Sequence, residues 1–121
     1  MVRITTSTTD LLTCNIDEVI EIMEACVGSP GEDIWLFANG GHPCLAAIVS
    51  GHLAVLHFFL NDNGDMYQSI GRHTEDIELQ VNGEIMLMSS DAIIPVDKAL
   101  DAARQFCNTF ERPTCIDWRD L

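Results

Sequence analysis

The chain is predicted to be an α+β domain in which one mostly antiparallel sheet of about six strands packs against two amphipathic helices. Three observations carry that prediction. Apolar residues recur at helical spacing in one stretch near each end, short apolar runs broken by Gly- and Asn-containing turns fill the middle, and Asn82-Gly83 is a hairpin signal.

The first helix starts after Asn15, which with Glu18 approximates a capping box. Ile16, Val19, Ile20, Met23 and Val27 mark its apolar stripe, and Gly28 and Pro30 end it. Its outer face carries Asp17, Glu21 and Glu24, where each like-charged neighbour pair costs a few tenths of a kcal/mol. The helix dipole favours Asp17 and Glu18 in the first turn but not Glu24. Such a face is either a contact surface or a plain solvated one.

Strands follow at residues 33–38, 44–49 and 52–60, separated by Asn39-Gly40-Gly41 and Ser50-Gly51. The second and third are apolar at successive positions, as expected of central strands buried on both faces. A polar turn at 61–65 leads to a strand at 66–70. Ile77, Leu79 and Val81 then alternate with polar residues up to Asn82-Gly83, a type I′ turn pattern, and 84–88 returns.

The second helix begins near Pro95, a residue suited to a first turn. Val96, Ala99, Leu100, Ala103, Cys107 and Phe110 form its stripe, and Phe106 widens it. Pro113 stops the helix, and 114–118 reads as a last strand or extended arm. With no repeat and no linker, residues 1–121 form one domain, long enough to bury about 65% of the surface its unfolded chain exposes.

The composition is 47% hydrophobic and 21% charged, which is ordinary for a globular protein. No apolar run is long enough for a membrane span, and no basic-then-apolar leader opens the sequence, so a cytoplasmic location is expected. The five scattered cysteines form no Cys-x-x-Cys pair and read as reduced, buried thiols. Charge is less ordinary, at a formal net of -13. Between Arg3 and Arg72 there are nine acids and no Lys or Arg. Nucleic acid is therefore excluded as a partner, whereas a basic protein would be attracted and oriented before contact. The plainer reading of such acidity is solubility.

No catalytic constellation stands out. His42, Cys44, Cys14, His52, His57 and His73 are metal-ligand types at no metal-binding spacing, and Ala47 stands where the Pro-Cys-x-x-Cys element of zinc deaminases needs its second Cys. His57, between Leu56 and Phe58, reads as a hydrogen-bonded core histidine, and Trp35, amid Ile34 and Phe37, as core or, if exposed, as an interface anchor. Cys26 and Cys107 fall on or beside the helix stripes as small hydrophobes. The 61–65 turn lacks the ligand pattern of a calcium loop, and the glycines form no phosphate loop. No metal or cofactor is expected.

One segment is more specific. Ile94-Pro95-Val96-Asp97-Lys98-Ala99 opens the second helix, Thr109-Phe110-Glu111-Arg112-Pro113 ends it, and Ile116 and Trp118 follow. From about Val81 to Trp118 the chain resembles immunity protein family one, the small antitoxins that bacteria hold against their own polymorphic toxins. The family pattern has a Pro-initiated amphipathic helix, a Thr-Gly-Glu-Arg-Pro-like turn and a short apolar strand ending at Trp. Phe110 replaces the Gly of that turn. A bulky side chain tolerates positive φ poorly, so a left-handed cap is not expected there.

The resemblance implies that Trp118 closes the domain against the last helix. It also implies a non-enzymatic protein that binds a cognate toxin in the producing cell. Toxins paired with this family are often nucleic-acid-targeting enzymes, deaminases among them, whose clefts are basic. An acidic surface would then cover the cleft in place of phosphates. The first residues expected there are Asp62, Asp65, Glu75, Asp76 and Glu78 on loops and edges; Asp17, Glu21 and Glu24 come second. Two other functions stay open on residues alone: a binding or scaffold domain of another pathway, and a small cytosolic enzyme using a Cys and His pair.

Overall fold

The apolar runs do form antiparallel strands, and there are more of them than the sequence pattern indicates. The computed structural model describes residues 1–81 and 83–121, among which lie ten strands and two α-helices. They are β1 (Val2–Thr5), β2 (Asp10–Thr13), α1 (Ile16–Glu24), β3 (Glu32–Phe37), β4 (Cys44–Ser50), β5 (Leu53–Phe59), β6 (Met66–Ser69), β7 (Ile77–Val81), β8 (Glu84–Met88), β9 (Ile94–Pro95), α2 (Val96–Thr109) and β10 (Trp118–Asp120). The main sheet runs β10-β6-β5-β4-β3-β1-β2, with β9 also paired to β5, and every pairing is antiparallel. β7 and β8 form a separate two-stranded sheet.

The expected α+β class therefore holds, but the count of about six strands is corrected. β1 and β2 have four residues each and β9 only two, too short for periodicity to reveal them. The Asn82-Gly83 turn lies at Asn82 outside the described residues, although Gly83 has the positive φ, +84°, that the pattern requires.

One face of the main sheet carries the helices. Val2, Ile4, Ile34, Leu36, Leu45, Ala47, Val49, Ala54, Leu56 and Phe58 project from it against Val19, Ile20 and Met23 of α1 and Ala99, Ala102, Ala103 and Phe106 of α2. Phe58 is the hub. Its ring lies 6.2 Å from those of Phe106, Tyr67 and Trp118, joining central strand, helix and last strand, and burial of such a side chain contributes about 1.5–3 kcal/mol.

The other face is covered over only part of its area. Ile48 and Val55 pack against Leu79, Val81 and Met88 of the β7–β8 hairpin and against Ala92 and Ile93. Both faces of β4 are thus buried, as its unbroken apolar sequence predicts. Ser69 anchors the link to the hairpin: its hydroxyl accepts from Leu56 N–H (3.0 Å) and donates to the Ala92 carbonyl (2.7 Å).

α1 is capped by Asn15, whose Oδ1 accepts from the N–H groups of Asp17 and Glu18. The return half of a capping box is absent among the described residues, because Asn15 N–H donates to Thr13 Oγ1 instead. At the end of α2, Phe110 is left-handed, with φ +52° and ψ +31°, and its N–H donates to the Phe106 carbonyl. This corrects the expectation for that position. The strain is offset by packing, since the half-buried Phe110 ring meets Phe106 edge-on at 6.0 Å.

Candidate functional site

Register alignment defines the sheet face away from the helices as three rows. Leu12, Arg3, Phe37, Cys44, Phe59 and Met66 form the first, and Asp10, Thr5, Trp35, Ala46, His57, Gln68 and Arg119 the second. Asp33, Ile48 and Val55 form the third, whose two apolar residues the β7–β8 hairpin covers.

Across the first two rows the aromatics make a continuous stack. Trp35 lies 6.0 Å from Phe37 and 5.4 Å from Phe59, with rings inclined by 12° and 23°, and His57 lies 6.4 Å from Phe59. β3 and β5 are separated by β4, a spacing of about 9–10 Å. Trp35 and Phe59 nevertheless touch, because β4 presents only Cys44 and Ala46 between them, and both small side chains are buried beneath the rings. Trp35, Phe37, His57 and Phe59 themselves are half-buried and belong to neither hydrophobic cluster. Trp35 is therefore not core, a correction to the sequence reading. In Ile34-Trp35-Leu36-Phe37 every position is apolar, so alternation could not say which residues face the helices. A groove of about 540 Å³ adjoins Phe37, between Arg3, Leu12 and Asn39.

His57 is hydrogen-bonded, as expected, but sits on this open face rather than in the main core. Gln68 Nε2 lies 3.1 Å from its Nε2, an arrangement in which the amide donates to a neutral imidazole. Burial holds its pKa below the ordinary value, while Asp33 acts in the opposite direction.

The expected charged residues fall into three groups. Asp62 and Asp65 are exposed on the turn between β5 and β6, next to the Phe59 end of the aromatic stack, and Asp65 accepts from Asn61 Nδ2 (2.9 Å). Glu75, Asp76 and Glu78 lie where the chain enters the hairpin, and Asp76 accepts from Ser90 N–H (2.7 Å). Glu78 is paired in register with Leu87, and Gln80 with Ile85. Ile85 and Leu87 are 67% and 60% exposed, two apolar residues beside Glu78 and Gln80 on the hairpin's outer face. The third group, Asp17, Glu21 and Glu24, is exposed on α1, in the layer on the other side of the sheet. Asp17 is bonded to Arg104 of α2 at 3.1 Å, so its charge is partly matched by a residue the α1 sequence could not reveal. Hence the structure does not gather all eight acids on one surface.

The thiols depart from expectation in part. Cys44 and Cys107 are buried and Cys26 half-buried, but Cys14 and Cys115 are exposed. Burial raises the pKa values of Cys26, Cys44 and Cys115, and pushes Cys107 up to about 11, the reverse of nucleophile activation. Among the described residues no three His, Cys, Asp or Glu side chains are grouped to hold a metal ion, and no helix is long and apolar enough to cross a membrane.

The C-terminal signature has a structural explanation. Gln105 Oε1 accepts from the N–H groups of Thr114 and Cys115, and its Nε2 donates to Thr114 Oγ1, clamping the chain after the helix. Arg112 lies over the Tyr67 ring at 4.5 Å, Pro113 is fully buried, and Trp118 Nε1 donates to the Pro113 carbonyl at 2.7 Å. Trp118 thus closes the domain against Phe58 and the end of α2. Residues 13–120 match the family described as Immunity protein Imm1.

The chain belongs to the Imm1 family of immunity proteins.

The match extends well upstream of Val81, where the residue resemblance is clearest. A relative from Burkholderia cenocepacia (strain H111), described as a double-stranded DNA deaminase immunity protein, is 30% identical over 115 residues, covering 88% of this chain and 91% of that protein. Membership of the Imm1 immunity proteins makes this chain a non-enzymatic inhibitor, which removes the Cys/His enzyme reading.

Proposed function

We propose that this Imm1 protein binds a cognate polymorphic toxin that modifies nucleic acid, of the deaminase class, and inhibits it by laying acidic surface over the toxin's basic substrate cleft. The observation that carries the reading is the Imm1 match, together with a relative described as an immunity protein against a double-stranded DNA deaminase. A net charge of -13 supports the electrostatic part, since an enzyme that holds DNA needs a positive groove.

Asp62 and Asp65 on one turn, and Glu75, Asp76 and Glu78 with exposed Ile85 and Leu87 on the hairpin, combine carboxylates with apolar contact area. Such carboxylates stand in for phosphates and steer the encounter, while desolvated apolar contacts set the off-rate. Asp17, Glu21 and Glu24 on α1 are the second choice. The protein acts in the cytoplasm of the producing cell, and neither nucleic acid nor membrane is a partner.

Asp62, Glu75 and Glu78 accept no side-chain hydrogen bond among the described residues, so reversing them to Lys tests charge without breaking structure. Association with the toxin encoded beside this chain is measured at about 20 and 150 mM salt, where screening lengths are roughly 20 and 8 Å. The triple variant should associate about tenfold more slowly at low salt, with a flatter salt dependence. An unchanged association rate removes the electrostatic mechanism, and failure of the wild-type chain to inhibit that toxin removes the function.

A further inference from the structure

The open aromatic face of the main sheet is built more elaborately than solvation requires. Trp35 is stacked with Phe37 and with Phe59, and His57 is tilted against Phe59, over Cys44 and Ala46, with ring separations of 5.4–6.4 Å, and nothing in the chain covers them beyond the hairpin boundary at Ile48 and Val55 among the described residues. Exposed Leu12 and half-buried Met66 extend the apolar strip to both sides. Left in water, such a surface is a liability unless a partner occupies it.

The rim identifies that partner by charge. Asp33 lies in the third row beside His57, and Asp62 and Asp65 follow Phe59 on the next turn. Arg3, the nearest cation on the β1 side, is bonded through Nε and Nη2 to both carboxylate oxygens of Asp10, at 2.9 and 2.7 Å, and Arg119 in the second row is bonded to Asp91. The strip thus presents half-buried aromatic rings flanked by carboxylates, with the Arg3 and Arg119 cations engaged by Asp10 and Asp91. A second copy of this chain would bring another -13 against the same rim, and nucleic acid would bring phosphates; both are repelled.

We infer that this platform is the energetic centre of the toxin interface, and that its occupant is a basic segment of the toxin whose Arg and apolar side chains lie on Trp35, Phe37 and Phe59. This deepens, and rests on, the reading of the chain as a toxin inhibitor. Trp and Arg dominate interface energetics where they are centrally packed, and a guanidinium over an indole or phenyl face gains from cation–π attraction once water is excluded. The two-row platform supplies the aromatic rings and the rim supplies the counter-charges. The acids on the hairpin and the β5–β6 turn then steer, while the aromatics hold.

Two independent measurements test this with the full chain and the catalytic domain of the toxin encoded beside it. In the first, Trp35→Ala and Phe59→Ala are compared with Asp101→Ala at an exposed position of α2, folding being checked by circular dichroism. The platform variants should raise Kd by about 30-fold or more, mainly through dissociation, with the α2 variant within about twofold. In the second, Trp118→Phe leaves Trp35 as the lone tryptophan on an intact platform, and acrylamide quenching of its fluorescence should fall severalfold when toxin saturates the chain.

If wild type binds while Trp35 stays equally quenchable and the platform variants bind normally, the platform is refuted and the inhibitor reading survives. If wild type does not bind the toxin, both fail. A toxin-free chain that sediments as a dimer with Trp35 already protected overturns the proposal in favour of self-association.

Discussion

Phe110 offers a test in which the sign of the result, not only its size, is decided by the fold. A non-glycine residue in the left-handed region costs about 1–2 kcal/mol, chiefly through the Cβ, so Phe and Ala carry the penalty and Gly does not. Phe110 recovers it by packing: a half-buried phenyl contributes about 1 kcal/mol and its edge-on contact with Phe106 about 0.5–1.5 kcal/mol more. Phe110→Ala loses the packing and keeps the strain, for a loss of about 2 kcal/mol.

Phe110→Gly loses the same packing but sheds the strain, less about 0.5–1 kcal/mol for the greater freedom of glycine in the unfolded chain. The Gly variant should therefore be more stable than the Ala variant by about 0.5–1 kcal/mol. In a helix interior the order would be the opposite, Ala exceeding Gly by about 1 kcal/mol. Urea denaturation resolves the difference as a midpoint shift of a few tenths molar, given slopes of about 1–3 kcal/mol per molar. If Phe110→Ala is the more stable of the two, residue 110 is not left-handed and the account of how α2 ends is wrong.

Three further outcomes follow from the same geometry. Burial lowers the folded-state pKa of His57, so the unfolded chain takes up its proton first: stability is fully present above about pH 6.5 and is lost as pH falls toward the folded value. Between pH 7.5 and 5.5, His57→Gln should show a smaller fall in urea midpoint than wild type, and equal falls would contradict the burial of that imidazole. A Cβ on Gly71 would collide with the Ile93 backbone, which no side-chain rotation can relieve, so Gly71→Ala should cost about 3 kcal/mol; a loss under about 1 kcal/mol by the same assay would refute the close approach. Iodoacetamide at neutral pH should label Cys14 and Cys115 in the native protein and leave Cys44 and Cys107 unmodified until it unfolds, checked by peptide mass spectrometry; rapid labelling of Cys107 would show that α2 does not bury it.

Local chemistry made much of this protein legible from its residues alone. Helical spacing marked Ile16 through Met23 and Val96 through Cys107, the unbroken apolar run of β4 marked a strand buried on both sides, and the Pro95 to Trp118 order carried the family. These signals survive in sequence because they depend on neighbours within a few positions. The strands of two to four residues were not legible, since their stability comes from partners across the sheet and not from their own pattern.

What the tertiary structure alone decided is which side of each strand faces water. In Ile34-Trp35-Leu36-Phe37 and Leu56-His57-Phe58-Phe59 both faces are apolar or nearly so, and only the docking of two helices on one side and a small hairpin on part of the other leaves Trp35, Phe37 and Phe59 uncovered. Likewise, the net charge of -13 was fixed by composition, whereas the pairing of Asp17 with Arg104 and of Arg3 with Asp10 required folding. Composition sets how much charge and apolar area a chain carries. Long-range packing sets where that charge and area meet solvent, because burial belongs to the assembled layers and not to any residue by itself.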